Sequence, residues 1–281
     1  MELATTKSQL RMARSGIGPN NVVGVVPTMG GLHEGHLALV DAARSECSVV
    51  IVTIFVNPMQ FGPSEDFENY PRELEDDSRM LVQRGVDLLF APSVDEMYPN
   101  GRDHHSVVML PHLTGVLCGR NRPGHFDGVA TVVSKLFNIV QPNTAYLGQK
   151  DWQQLTIIRA MVRDLDFPLR VVGVPTVRDS RGLALSSRNN YLSVDERAKA
   201  PLLYTELARL RDRVLQGEVK YTELESQACK ALEDDGFTPD YISVRESHTL
   251  KVANSHSKNR RVFGAALLGK ARLIDNLAID S

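Results

Sequence analysis

Val22-Val23-Gly24-Val25-Val26-Pro27-Thr28-Met29-Gly30-Gly31-Leu32-His33-Glu34-Gly35-His36-Leu37 is the stretch on which the reading of this chain turns. A β-branched run, Val22–Val26, meets a turn rich in glycine, and the turn feeds apolar helical spacing over Leu37–Ala43. The first N–H groups of a helix have no partner within it and the helix dipole is positive there, so a glycine turn opening a helix is a site for an anion, phosphate first among them. The stretch is neither G-x-x-x-x-G-K-[ST] nor G-x-G-x-x-G, which removes the P-loop and dinucleotide readings. It carries His33-Glu34-Gly35-His36 instead. Imidazoles three apart at a helix start share a face from which both can donate to phosphate oxygens, and Gly35 leaves room for a nucleotide's close approach. The spacing is not H-E-x-x-H and has no cysteine or third ligand beside it, so zinc does not fit. The plainer alternative keeps His33 as a helix cap and His36 as a satisfied surface histidine.

Outward from this stretch, short β-branched runs alternate with longer helical periods as far as Val177, the pattern of βαβ units and a parallel sheet. Strands are predicted at Val22–Val26, Val49–Val56, Val86–Phe90, Ser106–Met109, Ala145–Leu147 and Arg170–Val174. Helices are predicted where Val129, Val132, Val133, Leu136, Phe137 and Val140 recur, and again over Trp152, Leu155, Ile158, Val162 and Leu165. Near residue 180 the rhythm changes. A polar segment through Asn190 leads to Ser193 with Glu196 three residues on, a capping-box spacing. Helices over Val194–Gln216 and Tyr221–Asp235 and strands at Tyr241–Val244, Val262–Leu268 and Ala271–Ile274 complete the chain. The fold class is therefore α/β: a Rossmann-like parallel sheet with flanking helices over residues 1–178, then a smaller α+β domain over 179–281.

With 281 residues, 42% of them apolar, and a net charge of −2, the chain can bury sizeable cores and has no basic stripe for nucleic acid or an anionic membrane surface. No run of about 18 apolar residues occurs, and the residues before Val22 contain no apolar leader segment. Cys47, Cys118 and Cys229 form neither a C-x-x-C pair nor an even set and are expected to be buried and free, which points to a soluble protein of the reducing cytoplasm.

Pro27–His36 resembles the His-x-Gly-His signature of the nucleotidylyltransferase superfamily, which includes class I aminoacyl-tRNA synthetases, and within it Pro-Thr-Met-Gly-x-Leu-His-x-Gly-His is similar to the pantothenate synthetase family. Further blocks follow in the order of that family: Phe55–Gly62, Tyr70-Pro71-Arg72, Arg122–Phe126, Gly148–Asp151 with Gln153 and Gln154, Leu185–Asn189, and more weakly Asp275-Asn276. The resemblance implies ATP contacts from Met29, Gly30, Gly31, Leu32, His33, Glu34, Gly35 and His36, from Gly148, Gln149, Lys150 and Asp151, from Val177, and from Leu185, Ser186, Ser187 and Arg188. It implies catalytic roles for His36, as proton donor, His33, Lys150, Ser187 and Arg188, and binding of pantoate and β-alanine by Gln60, Gln154 and Asn57. It also implies Mg²⁺ with Asp77 as a ligand, and a homodimer, for which pairing through strands or apolar faces of the first domain is the working hypothesis.

The residue types suit those roles. Gln60 and Gln154 follow strand ends, where open α/β sheets place ligands, and an amide can bond a carboxylate and a hydroxyl together. Lys150 stands at a strand-to-helix junction with reach to phosphate oxygens, and Asp151 is placed to cap the following helix. Ser186-Ser187-Arg188 offers hydroxyls and a forked guanidinium to a triphosphate, on a segment that could close as a lid together with Pro58–Ser64. Gln149 stands where the family usually has Glu, and Leu185 where many relatives have Met. Asp76 and Asp77 also fit an exposed helix face. The expected reaction is ATP-dependent condensation of pantoate with β-alanine through a pantoyl adenylate. Its rivals are another nucleotidyltransferase of the superfamily, and a nucleotide-binding module without catalysis.

Overall fold

The computed structural model describes residues 1–63, 65, 67–101 and 104–280. Ser64, the end of one expected lid segment, lies outside the described residues.

The first unit is built on β1 (Glu2–Ala4), α1 (Lys7–Ser15), β2 (Val23–Thr28), α2 (Glu34–Glu46), β3 (Val49–Ile54), α3 (Leu74–Gln83), β4 (Leu88–Phe90) and α4 (Val94–Met97). Short turns α5 (Pro111–Thr114) and α6 (Cys118–Asn121) lead to α7 (His125–Val140), β5 (Thr144–Gly148), α8 (Trp152–Asp164) and β6 (Arg170–Val174). The strands form one parallel sheet in the order β1-β4-β3-β2-β5-β6. Because helices cover both faces, the inner strands are apolar throughout; Val23, Val25 and Val26 are all fully buried. One face packs on α1, α7 and α8 through Leu10, Phe137 and Ile158, the other on α2 and α3 through Leu37, Val40 and Leu81. The chain order reverses between β2 and β5, which opens a crevice beyond their carboxyl ends.

The second unit holds α9 (Val194–Lys199), α10 (Leu202–Leu215), α11 (Tyr221–Asp234) and an antiparallel sheet of β7 (Thr238–Glu246), β8 (Arg260–Leu268) and β9 (Ala271–Ala278). Its own core gathers Leu207, Leu210, Leu232, Val244 and Val262. The capping box predicted at Ser193 and Glu196 is formed.

Several predicted elements are corrected. Ser106–Met109 is no strand: the Val108 N–H donates 2.9 Å to Thr131 Oγ1 on α7, and Val107 and Met109 are exposed. The single helix expected over Val194–Gln216 is two, divided at Ala200-Pro201 because proline cannot donate to the preceding turn. β1, unforeseen, is a short edge strand. Of the cysteines, Cys47 and Cys118 are buried while Cys229 is only partly so, and all are free. No described helix is long and apolar enough to cross a membrane.

Candidate active site

The segments following β2, β3, β5 and β6 converge in that crevice and, with the 183–189 segment, line a cavity of about 480 Å³. Met29, His33, Gly35, His36, Gln60, Gly148, Lys150, Asp151, Gln154, Val177, Leu185, Ser186, Ser187 and Arg188 all line it. Fourteen of the twenty-one residues predicted from scattered blocks are thus brought to one place; Gly30, Gly31, Leu32, Glu34, Gln149, Asn57 and Asp77 are not in its lining.

The β2–α2 turn passes through Gly30 at φ +87° and Gly31 at φ +61°, backbone conformations that exclude most side chains. The Gly31 and Leu32 N–H groups turn away from the cavity and donate 3.0 and 2.8 Å to the two carboxylate oxygens of Asp77. Asp77 is therefore not an exposed helix-face residue: each of its oxygens holds an N–H of the glycine turn. It lies buried on α3 with both oxygens engaged, although burial still raises its pKa against the effect of those bonds. Among the described residues no group of His, Cys, Asp and Glu is arranged to hold a metal.

His33 caps α2, its Nδ1 accepting the Gly35 N–H at 3.0 Å. In the neutral ring the proton then sits on Nε2. The cap and the cavity-facing histidine expected as alternatives are one residue. His36 packs on it with ring centroids 4.1 Å apart, and its Nδ1 is shut from solvent without a partner. Burial, then Lys150, lowers the His33 pKa to about 4; burial, then His33 and Lys150, lowers that of His36 to about 3. Both rings are therefore held neutral at pH 7, each with one N–H to donate. Gly35 has a nearer reason than the expected nucleotide: a Cβ on it would stand 2.7 Å from His33 Cε1.

At the end of β3, Asn57 is fully buried and spent within the protein. Its amide N–H groups go to Gln60 Oε1 (3.2 Å) and the Gly128 carbonyl (3.1 Å), while its oxygen accepts from Tyr98 OH and the Met59 N–H. It lies outside the cavity lining and holds Gln60 in place, which corrects its expected contact with substrate. The Gln60 carbonyl accepts from His125 Nδ1 at 2.7 Å, and His125 Nε2 takes an Arg122 N–H at 2.9 Å. Burial, followed by the charge of Arg122, lowers the His125 pKa to about 4. Arg122 also forks onto Glu65 with two contacts of 2.6 Å. The Arg122–Phe126 block had no role assigned from sequence; Arg122 and His125 hold the Gln60 carbonyl and, with Phe126, line the cavity.

Lys150 extends into the cavity with Nζ 3.6 Å from Asp151. Asp151 precedes α8 but makes no side-chain cap, contrary to expectation. Gln149 turns its amide to the Gly173 carbonyl, 2.9 Å away. Gln154 is half-buried and lines the cavity, whereas its neighbour Gln153 is spent on the Leu113 and Val116 carbonyls and the Cys118 N–H. From the opposite wall Ser186 accepts the Arg188 N–H, and Ser187 Oγ lies 3.4 Å from Tyr70 OH. The Tyr70-Pro71-Arg72 block thereby meets the Ser-Ser-Arg segment.

The family described as pantoate-beta-alanine ligase matches residues 2–278. The chain is 52% identical over 263 residues to the pantothenate synthetase of Stutzerimonas stutzeri, covering 94% of this chain and 92% of that one. It superposes on the crystal structure of pantothenate synthetase from Thermus thermophilus with a TM-score of 0.93 at 48% identity, covering all of both chains. For pantoate-beta-alanine ligase from Francisella tularensis complexed with beta-gamma ATP and beta-alanine, the TM-score is 0.82 at 35% identity, covering 100% of this chain and 98% of that one.

Proposed function

This chain belongs to the pantoate-beta-alanine ligase family, and from that premise we infer that it condenses pantoate with β-alanine to pantothenate, consuming ATP and releasing AMP and pyrophosphate. The observation that carries the reading is the meeting, in one cavity, of the phosphate-type groups His33, His36, Lys150, Ser187 and Arg188 with the amides of Gln60 and Gln154.

A carboxylate is a poor acyl donor because its leaving group would be oxide. In the first step the pantoate carboxylate attacks the α-phosphorus of ATP, the bond to the bridging oxygen breaks, and pyrophosphate departs. The acyl adenylate formed is a mixed anhydride. The amine of β-alanine then attacks its acyl carbon, and AMP leaves with the electron pair. No protein nucleophile is needed, so catalysis consists of positioning and of stabilising charge on phosphoryl oxygens. We assign that stabilisation to His33 and His36 as N–H donors and to Lys150, Ser187 and Arg188, with Gln60 and Gln154 orienting pantoate. Neutral in the free enzyme, His36 becomes a proton donor only when phosphate charge beside it raises its pKa. The adenylate is open to hydrolysis, and the 180–189 segment is suited to close over it.

Mg²⁺ arrives, in this reading, as part of the substrate MgATP, held chiefly by phosphate oxygens and water, while Asp77, outside the cavity lining, holds the glycine turn. We set the boundary of the two units at residues 178/179, between the parallel sheet and the second core. We place the protein in the cytoplasm as a homodimer, a state supported by the exposed Leu3, Met12, Val107 and Met109 of the first unit; a monomer mass in sedimentation would remove the dimer. The reaction is tested by exchange of labelled pyrophosphate into ATP without amine. Exchange that requires pantoate, followed by pantothenate formation on adding β-alanine, is expected; exchange with a different acid alone would overturn the substrate.

A further inference from the structure

Asp275-Asn276, a pair at the far end of the sequence from the other motifs, touches both phosphate-facing segments at once. Asn276 is 4% exposed, and its amide donates to two successive carbonyls, Gln149 at 3.0 Å and Lys150 at 2.8 Å. Its oxygen accepts from Arg261, whose guanidinium lies 3.5 Å above the ring of Trp152, the first residue of α8. The strand-to-helix junction carrying Lys150 is therefore gripped by the second unit rather than by its own helix, consistent with the missing Asp151 cap. Asp275, 5% exposed, receives both terminal nitrogens of Arg178 and also the Asn276 N–H at 2.7 Å. Arg178 bridges to Ala184 at the base of the turn that carries Ser186, Ser187 and Arg188, and its other contacts are the Gly182 carbonyl and the Tyr204 ring. Neighbouring side chains on a strand leave opposite faces, so one dipeptide of β9 can hold two segments apart in sequence.

We propose that Asp275-Asn276 makes the Lys150 junction and the Ser186–Arg188 segment one mechanical unit, with Asn276 as the positioning residue for Lys150. Asp275 and Asn276 also reach the cavity lining, but the Asn276 amide is turned to the backbone at Lys150. A displacement of about 1 Å at a group that stabilises phosphoryl charge can lower a rate on the order of a hundredfold, so these two hydrogen bonds can matter. The inference rests on the ATP-dependent reading above, and wild-type pyrophosphate exchange is measured first; if that fails with every acid, it is the reading that fails.

With active wild type as reference, Asn276→Asp retains the size of the side chain and an acceptor for Arg261 but has no donor for the carbonyls. Exchange at saturating substrate is expected to fall about tenfold or more with the KM for pantoate unmoved. Asn276→Ala should do the same and should have no further effect in a Lys150→Ala background, because both act through one ammonium. Asn276→Asp within about twofold of wild type, or Asn276→Ala and Lys150→Ala losses that multiply, would overturn the proposal. Wild-type protein supplies a test independent of any variant's folding. Trp152 is the only tryptophan, and Arg181 on the turn is an exposed trypsin site. Titrated with MgATP, tryptophan fluorescence and protection at Arg181 should change with the same midpoint; protection without a fluorescence response would also overturn it.

Discussion

Asp77 on α3 and Leu32 in the glycine turn are joined by a 2.8 Å hydrogen bond from the Leu32 N–H to a buried carboxylate, with the Gly31 N–H on the other oxygen. The acid at this position thus fixes the turn that aims His33. Asp77→Asn would set an amide NH₂ against one of those N–H groups. We expect a stability loss of about 1–3 kcal/mol in urea unfolding and a raised KM for ATP. If Asp77 were a metal ligand instead, stability would hold and excess Mg²⁺ would restore activity.

Asn57 and Gln60 lie three residues apart, yet their substitutions should separate. Gln60→Ala removes a cavity-lining amide and is expected to raise the KM for pantoate with little change in unfolding. Asn57→Ala leaves the buried Tyr98 hydroxyl without its acceptor and takes the second donor from the Gly128 carbonyl, so it should lose about 1–3 kcal/mol of stability as well. Equal stability of the two variants would put Asn57 back among the direct binding residues.

Burial holds His33 and His125 near pKa 4 and His36 near 3, below the ordinary value of 6.5. Between those values the unfolded chain binds more protons than the folded one. Stability is therefore fully present above pH 6.5 and falls as the pH drops toward 4 and then 3, by up to about 1.4 kcal/mol per pH unit for each group. The urea midpoint should decline between about pH 7 and pH 5, and less steeply in His125→Asn. A flat midpoint across that range would mean that the histidines are not held neutral.

His36→Ala tests the donor itself. With its Nδ1 unpartnered, the ring contributes no hydrogen bond from that atom to the fold, and its removal should leave unfolding at pH 7 nearly unchanged. The value of kcat/KM should fall at least about a hundredfold, the scale of a lost general acid. Activity within a few-fold of wild type would exclude His36 from the chemistry.

What could be read in the sequence divides along physical lines. β2 and β3 are rich in Val and Ile buried on both faces, and a strand of that kind announces itself. β1 is a short edge strand with no alternation to detect, while Val107 and Val108 have strand propensity but find no neighbour to pair with. Of the cavity residues, His33 and His36 were legible from a glycine turn at a helix start, while the roles of Gln60, Lys150, Gln154, Ser187 and Arg188 were implied by the family resemblance. The holding roles of Asp77, Asn57, Arg122 and Asn276 were not legible: a polar side chain that binds backbone N–H or C=O groups has the same sequence appearance as one on the surface. Asp77 at least has a trace, an acid spaced among apolar Leu74, Met80 and Leu81 on a helix otherwise charged outward. Asn276 stands out only through the weak family resemblance at Asp275-Asn276; its holding role has no trace, because its partners are carbonyls more than a hundred residues away.

Gly35→Ala separates the helix from the site it begins. In a helix Ala is favoured over Gly by up to about 1 kcal/mol, which would stabilise α2. The added Cβ, however, would lie 2.7 Å from His33 Cε1 and 2.9 Å from Nδ1, so the ring must turn out and the cap from the Gly35 N–H is lost. A lost cap costs about 1 kcal/mol, so the two effects nearly cancel and thermal unfolding should move little. Activity has no such compensation. His33 Nε2–H is aimed into the cavity only while Nδ1 is held, and the His36 ring stacked on it would shift too. We expect kcat/KM in pyrophosphate exchange to fall at least about tenfold at unchanged stability. Unchanged exchange would mean that the His33 ring can leave its cap without consequence, and that Gly35 is needed for neither ring nor nucleotide.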